Sequence, residues 1–191
     1  MNCNFCEIIN KYQPSKDLEK PSEHILQACK SAGFPDALLD CIRDYGFGNY
    51  GKGIIKFIDP EDYMKGFYTW LGSDLFSKIP FMMTGFGDIF YFRNLGSGNY
   101  DISLLDIHHR KISVLAWSVE EFAAYLSDSE TQRTLLRCNL FNQAIEKCGL
   151  LQSDEIYYFT PALIAGRAED IKYVDKGKAD VHHLVLFQLG K

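Results

Sequence analysis

The stretch at residues 79–92, IPFMMTGFGDIFYF, constrains the fold more than any other part of this chain. Two apolar runs flank Gly85-Phe86-Gly87-Asp88, and the two glycines permit the backbone angles of a tight reversal. The runs are rich in Phe, Tyr, Ile and Met with little polar alternation, a pattern typical of adjacent antiparallel strands buried on both faces. Residues 79–92 therefore predict a buried hairpin at the centre of a sheet.

Further strands predicted at Tyr100–Ile107 and Ile112–Trp117 extend the hairpin into a meander around residues 79–117. Helical patterns lie on both sides of this meander. The predicted helices are residues 5–12, 23–31, 35–45, 60–71, 118–126, a segment from beyond Thr131 to Cys148, and 180–189. Shorter strands are predicted at residues 54–58, 155–160 and 171–174. The predicted fold class is α+β, a central and mostly antiparallel sheet with helices packed at its faces and ends.

Composition excludes several classes of protein. A hydrophobic fraction of 47% is enough for a packed core and argues against disorder. No apolar run approaches the roughly 20 residues of a membrane helix, and the first residues lack a secretion signal. We therefore expect a cytoplasmic protein without a membrane partner. The net charge of −5 also lacks the basic surplus of a nucleic-acid binder, so direct binding to nucleic acid is not expected.

The cysteines do not form a recognisable metal site. Cys3 and Cys6 make one C-x-x-C pair, which has the spacing of half a zinc site or of a redox pair. No second such pair and no histidine pair at ligand spacing completes it, although a zinc site normally has four ligands. Free thiols are the simpler interpretation, and we expect no metal and no cofactor.

Catalytic motifs are missing from the sequence. None of H-E-x-x-H, G-x-S-x-G or a D-x-D metal pair occurs. The adjacent pairs His108-His109 and His182-His183 point in different directions on either a strand or a helix. We expect no catalytic residues and no enzyme. An alternative is an enzyme that uses Asp88 with a histidine, although Asp in a Gly-Asp turn more often bonds the backbone.

A second alternative comes from the glycine-rich loop at residues 46–53, GFGNYGKG. Four glycines and Lys52 suggest a phosphate-binding loop. In a P-loop, however, the lysine precedes Ser or Thr and opens a helix, whereas here Gly53 and a predicted strand follow. Close approach of backbone to backbone is the simpler interpretation. Because of this loop and of Gly85 and Gly87, a small-molecule or nucleotide-binding domain remains an alternative to the protein's main predicted function.

The helix predicted at residues 35–45 carries an acidic stripe. Leu38, Leu39 and Ile42 share one face at 100° per residue, and Asp36, Asp40 and Asp44 line the opposite face. These aspartates, called the acidic stripe below, are either a solvated helix face or a docking surface for a basic partner. Like charges four residues apart slightly destabilise a helix. Docking of a basic partner would explain why three aspartates nevertheless occur at this spacing.

Three segments resemble two families that occur together. Residues 46–71 resemble the GAD-like domain, with an aromatic-glycine loop, a strand, D-P-x-D-Y and a helix ending in W-L. Residues 85–91, GFGDIFY, resemble its A-F-G-D-L-F element, with Gly85 in place of alanine. Residues 154–166, DEIYYFTPALIAG, resemble the D-E-x-Y-x-F-x-P-A-L-x-x-G motif of a second domain, with Tyr158 where glycine is common. The closing residues 183–190 match that domain's terminal helix.

This pair of domains is characteristic of type VI secretion immunity proteins, which neutralise DNase effectors made by the same bacterium. The resemblance implies a GAD-like domain at residues 1–117 and an immunity C-terminal domain at 118–191, packed as one compact unit. It also implies an inhibitor in bacterial competition whose partner is a nuclease toxin. Since a DNase holds phosphates with basic groups, the acidic stripe is the candidate contact with that partner.

Overall fold

The computed structural model describes residues 4–72, 77–166 and 168–190. The C-x-x-C prediction lies outside this description, since it depends on Cys3 and on the side chain of Cys6. The helices are α1 (Asn4–Lys11), α2 (Glu23–Ser31), α3 (Asp36–Asp44), α4 (Pro60–Leu71), α5 (Val119–Ser127), α6 (Ser129–Thr134), α7 (Cys138–Cys148) and α8 (Ala179–Leu189). The strands are β1 (Gly48–Tyr50), β2 (Ile55–Phe57), β3 (Lys78–Thr84), β4 (Ile89–Gly96), β5 (Asn99–Asp106), β6 (Lys111–Ala116), β7 (Glu155–Phe159) and β8 (Val174–Lys178).

Strands β1 to β6 form one antiparallel sheet in sequence order, and β7 pairs with β8 in a second, two-stranded sheet. The predicted hairpin is confirmed: Ile79 is opposite Phe92, and Met83 is opposite Ile89, across the turn at residues 85–88. It lies at the centre, because β2 pairs with β3 and β5 pairs with β4. The predicted α+β class is confirmed as well.

Helices cover both faces of the central sheet. Along β4, Phe90 and Phe92 pack in the core shared with α1, α2, α3, α5 and α7, whereas Tyr91 packs in a second core with α4 and α8. This alternation follows from the two-residue period of a strand. Burial on both faces explains why the sequence there is continuously apolar. Each such aromatic side chain contributes about 1.5–3 kcal/mol by leaving water.

Several helix ends form as their sequences predict. The Ser22 hydroxyl accepts from the N–H of Ile25 at 3.2 Å, and the Asp59 carboxylate accepts from the N–H of Glu61 at 2.9 Å. Pro60 then occupies the first turn of α4, where its missing N–H costs nothing. The Ser118 hydroxyl likewise accepts from the N–H of Glu121 at 3.1 Å.

Other predicted boundaries of helices and strands were wrong. The helix predicted up to Cys148 is interrupted, because Arg137 adopts a left-handed conformation with φ of 49° and separates α6 from α7. Residues 171–174 were predicted as a strand, but Ile171–Tyr173 forms a 3-10 helix and the strand begins at Val174. The last helix begins at Ala179 instead of being capped by Asp180, which lies in its first turn.

Candidate functional site

The turn that joins β3 to β4, residues 84–88, is a buried polar centre. The Thr84 hydroxyl accepts from the N–H groups of Phe86 and Asp88 at 3.3 and 3.1 Å, and the Thr84 carbonyl accepts from the N–H of Gly87 at 2.9 Å. Hydrogen bonds within residues 84–88 thus hold the turn closed. Thr84 and Asp88 are fully buried, so their polar atoms depend on partners within the protein.

Three carbonyls of this turn accept hydrogen bonds from other elements. The Gly85 carbonyl accepts from the N–H of Tyr157 at 2.8 Å. Nε2 of His108 donates to the Phe86 carbonyl at 2.8 Å, and Nε2 of His183 donates to the Gly87 carbonyl at 2.9 Å. A carbonyl only accepts, so both rings carry their proton on Nε2. Burial lowers the pKa of His108 and lowers the pKa of His183 to about 4, which keeps both rings neutral at pH 7.

Asp88 and Arg137 form an ion pair at the same place. Arg137 Nη1 lies 2.8 Å from Asp88 Oδ2, and the N–H of Ile107 donates to Asp88 Oδ1 at 3.1 Å. Arg137 Nε also contacts the Glu169 carboxylate at 2.9 Å. The guanidinium carbon lies 5.5 Å from the centroid of the Phe86 ring. Arg137 thus reaches the turn from the junction of α6 and α7, where its own backbone is left-handed.

This geometry gives Asp88 a structural role. Asp88 and His108 have 0% and 1% of their surface exposed, and their hydrogen bonds go to groups of the fold. A catalytic carboxylate must reach substrate within hydrogen-bonding distance, and the buried Asp88 offers no such access. His109 instead bonds Asp106 at the surface, and His182 stacks on Tyr158. The histidine neighbours therefore point to separate surroundings, as their adjacency predicted.

Two glycines of the possible phosphate site, Gly51 of the loop and Gly85 of the turn, lie in close contact with other parts of the chain. A Cβ at Gly85 would lie 2.5 Å from Cε2 of Phe141 and 2.8 Å from the Gly53 carbonyl oxygen. A Cβ at Gly51 would lie 2.8 Å from Cδ1 of Tyr12. The N–H groups of Gly51 and Gly85 donate to the carbonyls of Gln13 and Ile54, so these two groups are not free to hold a phosphate. The loop also contains the strand β1. The close contacts of the backbone explain why glycine is needed at Gly51 and Gly85.

Lys56 is a buried residue whose structural role was not predicted from the sequence. It is 1% exposed, and its Nζ donates to Asn49 Oδ1 at 2.6 Å and to the Gln152 carbonyl at 2.8 Å. Burial lowers its pKa to about 7, against the raising effect of Glu155 and Asp154. A lysine in the middle of the apolar run IIKFI was the signal that could have found it. Lys56 ties β2 to the loop before β7.

The acidic stripe lies where the sequence placed it. Asp36, Asp40 and Asp44 are exposed on α3, and the three aliphatic residues of the opposite face are buried. Asp40 pairs with Arg43 at 2.6 Å. Lys20 Nζ donates to the Asp44 carbonyl at 2.6 Å, at the negative end of the helix dipole. The amphipathic helix is confirmed, and partner binding by the stripe stays a prediction.

A cleft of about 780 Å³ opens beside the glycine-rich loop. Lys52 of this loop and Lys11 of α1 lie at its wall, with apolar residues Ile54, Phe141 and Leu151 and polar residues Asn49 and Gln152 among the others. Tyr12 also lines the cleft, and its buried hydroxyl has no hydrogen-bond partner in the described part of the chain. The cleft combines apolar walls with a few polar groups, which is typical of small-molecule sites.

Within the described residues, no group of three or more His, Cys, Asp and Glu side chains is arranged to hold a metal ion. Over the same ranges, no helix has the length and apolar character needed to cross a membrane.

Two protein-family models match consecutive parts of the chain. The model of the GAD-like domain matches residues 4–105, which include the hairpin and its turn. The chain belongs to the GAD-like family. Behind this GAD-like region, residues 116–190 match the C-terminal domain of the T6SS immunity protein Tdi1. This second match identifies the chain as an immunity protein of a type VI secretion system, and such a protein has a toxin as its partner.

The fold has a counterpart among solved structures. The crystal structure of Atu4351 from Agrobacterium tumefaciens matches 95% of this chain and 87% of its own, with a TM-score of 0.72 and 18% identity. At this identity the likeness concerns the fold alone. A comparison with curated proteins gives no match.

The GAD-like region and the region that matches Tdi1 meet at the turn. The turn lies in the first match, and its partners Arg137, Tyr157 and His183 lie in the second. Residues of the second region therefore supply hydrogen-bond partners of the turn in the first.

Proposed function

We propose that this immunity protein acts in the cytoplasm by binding a DNase toxin, which it neutralises by protein–protein contact without catalysis and without a cofactor. The observation that carries the proposal is the match of residues 116–190 to the C-terminal domain of the immunity protein Tdi1. The burial of Asp88 and His108 supports it, because these polar groups stabilise the turn.

Charge supports a nuclease as the partner. A DNase presents Lys and Arg to the phosphates of DNA, so its working surface is basic. The chain has a net charge of −5, and the acidic stripe on α3 is exposed. Opposite charges accelerate association and favour the intended partner. We propose that Asp36, Asp40 and Asp44 contact basic groups of the toxin.

The division of the chain at residue 117 belongs to the same proposal. The first domain, residues 1–117, would supply the acidic stripe, and the second, 118–191, would complete the turn through Arg137 and His183. Buried hydrogen bonds between the two support one rigid binding unit.

The test is co-purification of the tagged chain with the product of the gene beside its own, followed by a DNA-degradation assay. We expect a stable complex in which DNA degradation is abolished. Reversal of the stripe, Asp36→Lys, Asp40→Lys and Asp44→Lys together, should slow association; the control Glu146→Lys changes an exposed acid on α7. No complex with the folded chain would overturn the proposal. Equal association rates for the two variants would remove the stripe from it.

The cleft beside the glycine-rich loop favours a second candidate function, the binding of a small anionic molecule such as a nucleotide. Lys11 and Lys52 at its wall would attract the negative charge. A ligand that binds only the folded state raises the melting temperature by mass action. A nucleotide panel should therefore raise the melting temperature of the wild-type chain but not of Lys52→Ala. No shift with any nucleotide would remove this candidate.

A further inference from the structure

Helix α8 presents an apolar face to solvent. Its buried residues, Ala179, His183 and Leu186, face the sheet. The aliphatic residues on the other side are largely exposed: Val181 51%, Leu184 54%, Val185 42% and Leu189 60%. At 100° per residue these four residues lie on one side of the helix, and we call them the α8 apolar face. A surface helix normally turns charged or polar residues to water, so this face is unusual.

The α8 apolar face is held in place by contacts behind it. Trp70 of α4 donates its indole N–H to the His183 carbonyl at 3.2 Å. Arg110 donates to the Phe187 carbonyl at 3.1 Å, and its guanidinium carbon lies 5.3 Å from the centroid of the Trp70 ring. The helix is therefore fixed to α4 and to the turn before β6. A fixed apolar face loses little conformational entropy when a partner binds.

Carboxylates lie at the N-terminal end of this face. Asp62 of α4 and Asp180 of α8 line a depression of about 90 Å³ between the two helices, together with Trp70 and Leu184. Both aspartates are exposed, and neither makes an ion pair with any residue that the structure describes. Asp154, nearby, is instead paired with Lys178. The surface thus has an apolar centre bordered at one end by two exposed carboxylates that make no ion pair within the described residues.

We propose that the α8 apolar face, with Asp62 and Asp180 at its end, is a docking surface for the cognate toxin. The inference rests on the proposed function and adds a second contact surface to the acidic stripe. The occupant would be a basic protein that presents an aliphatic or aromatic patch bordered by Lys or Arg. An apolar centre with a charged rim is the usual anatomy of a protein–protein interface. A second copy of this chain also carries a charge of −5, which disfavours self-association relative to a basic partner.

The two surfaces can be tested separately because they lie on opposite sides of the sheet. The buried residues of α3 belong to one core, and those of α8 belong to the other. Substitutions on α8 therefore leave the acidic stripe unchanged.

The experiment measures the affinity of the full chain for the catalytically inactivated product of the gene beside its own. The test variant is Leu184→Ser, and the matched control is Leu95→Ser, which changes a leucine of 46% exposure at the far end of the hairpin β4–β5. We expect Leu184→Ser to raise Kd by about tenfold or more, mainly through faster dissociation. Leu95→Ser should bind as the wild type does. Asp62→Asn with Asp180→Asn should slow association most at low salt.

Each outcome decides one point. Failure of the wild-type chain to bind overturns the proposed function and the docking surface with it. Wild-type binding that Leu184→Ser leaves unchanged, with an unchanged melting temperature, overturns the docking surface alone. If Leu184→Ser does not fold, Val181→Thr takes its place, since this change keeps the shape of the side chain. A wild-type dimer that Leu184→Ser converts to a monomer, with unchanged affinity for the toxin, would show a self-association surface and overturn the proposal.

Discussion

Arg137 Nη1 and Asp88 Oδ2 lie 2.8 Å apart in the core, although the two residues are 49 positions apart in the sequence. Their side chains are 5% and 1% exposed. The pair connects the turn of the central hairpin with the junction of α6 and α7. Two buried charges of opposite sign depend on each other, because either one alone would remain desolvated without compensation.

Arg137→Met should lower the free energy of unfolding by about 3–5 kcal/mol, because it leaves the Asp88 carboxylate buried without its cation. The double variant Arg137→Met with Asp88→Asn should regain part of this loss, since the remaining buried group is neutral. Urea unfolding of the four proteins gives the coupling energy. Additive losses would show that the two side chains do not stabilise each other.

Gly85→Ala and Gly66→Ala should change stability in opposite directions. A Cβ at Gly85 would meet Phe141 Cε2 at 2.5 Å, so we expect a loss of about 1–3 kcal/mol. A Cβ at Gly66, in the middle of α4, meets nothing within 4 Å, so the higher helix propensity of alanine should add about 1 kcal/mol. Thermal unfolding measures both. The loss caused by Gly85→Ala should be smaller in a Phe141→Leu background than in the wild type, and an equal loss in both would contradict a clash with the Phe141 ring.

Stability should fall as the pH is lowered from about 6.5 to about 4 because His183 is buried in its neutral form. In this window the unfolded chain binds a proton at His183 and the folded chain does not, since its folded pKa is lowered to about 4. Linkage then predicts a loss of up to about 3 kcal/mol. Burial lowers the pKa of His108 too, which adds to the loss in the same direction.

The variant His183→Gln should show a smaller loss over the same pH range, because glutamine can still donate to the Gly87 carbonyl but does not titrate. His24→Gln is the control, since the side chain of His24 is 80% exposed. Urea unfolding at several pH values measures the slope. Equal slopes in His183→Gln and the wild type would exclude His183 as its source.

Asn49→Ala should destabilise the protein by about 1–3 kcal/mol, because it leaves buried partners without a hydrogen bond. The Asn49 amide accepts from Lys56 Nζ at 2.6 Å and donates to the Leu151 carbonyl at 2.9 Å. Asn142→Ala changes an exposed amide on the wall of the same cleft and should have little effect. Comparable melting temperatures for the two variants would argue against a stabilising role of the Lys56 contacts.

Local patterns predicted most of the fold. The hairpin around Gly85 and Gly87, the helix start at Asp59-Pro60 and the amphipathic α3 each depend on residues close in sequence. The same is true of the order of the meander strands. At the break between α6 and α7, which was not predicted, Arg137 leaves the helical conformation and its side chain reaches the distant Asp88.

The buried polar centre could be predicted only in part. Turn preferences indicated that Asp88 bonds the backbone, and it does so at Ile107. His108 and His183 are distant in sequence, and no local pattern indicates that both donate to the same turn. The exposure of the α8 apolar face was not predicted either, because a helix with apolar residues on several sides resembles a buried helix in the sequence.

The partners of the turn also have a consequence for synthesis on the ribosome. His183 follows Gly87 by 96 residues, and at about 5–20 residues per second this separation takes about 5–20 s to translate. During that time the Gly87 carbonyl lacks its donor, and Asp88 lacks its cation until Arg137 has been made, 49 residues after Asp88. The nascent chain therefore completes its core only when its last helix has been made. A chain that stops before residue 179 therefore lacks the donor to the Gly87 carbonyl, and only a chain that includes α8 has the complete turn.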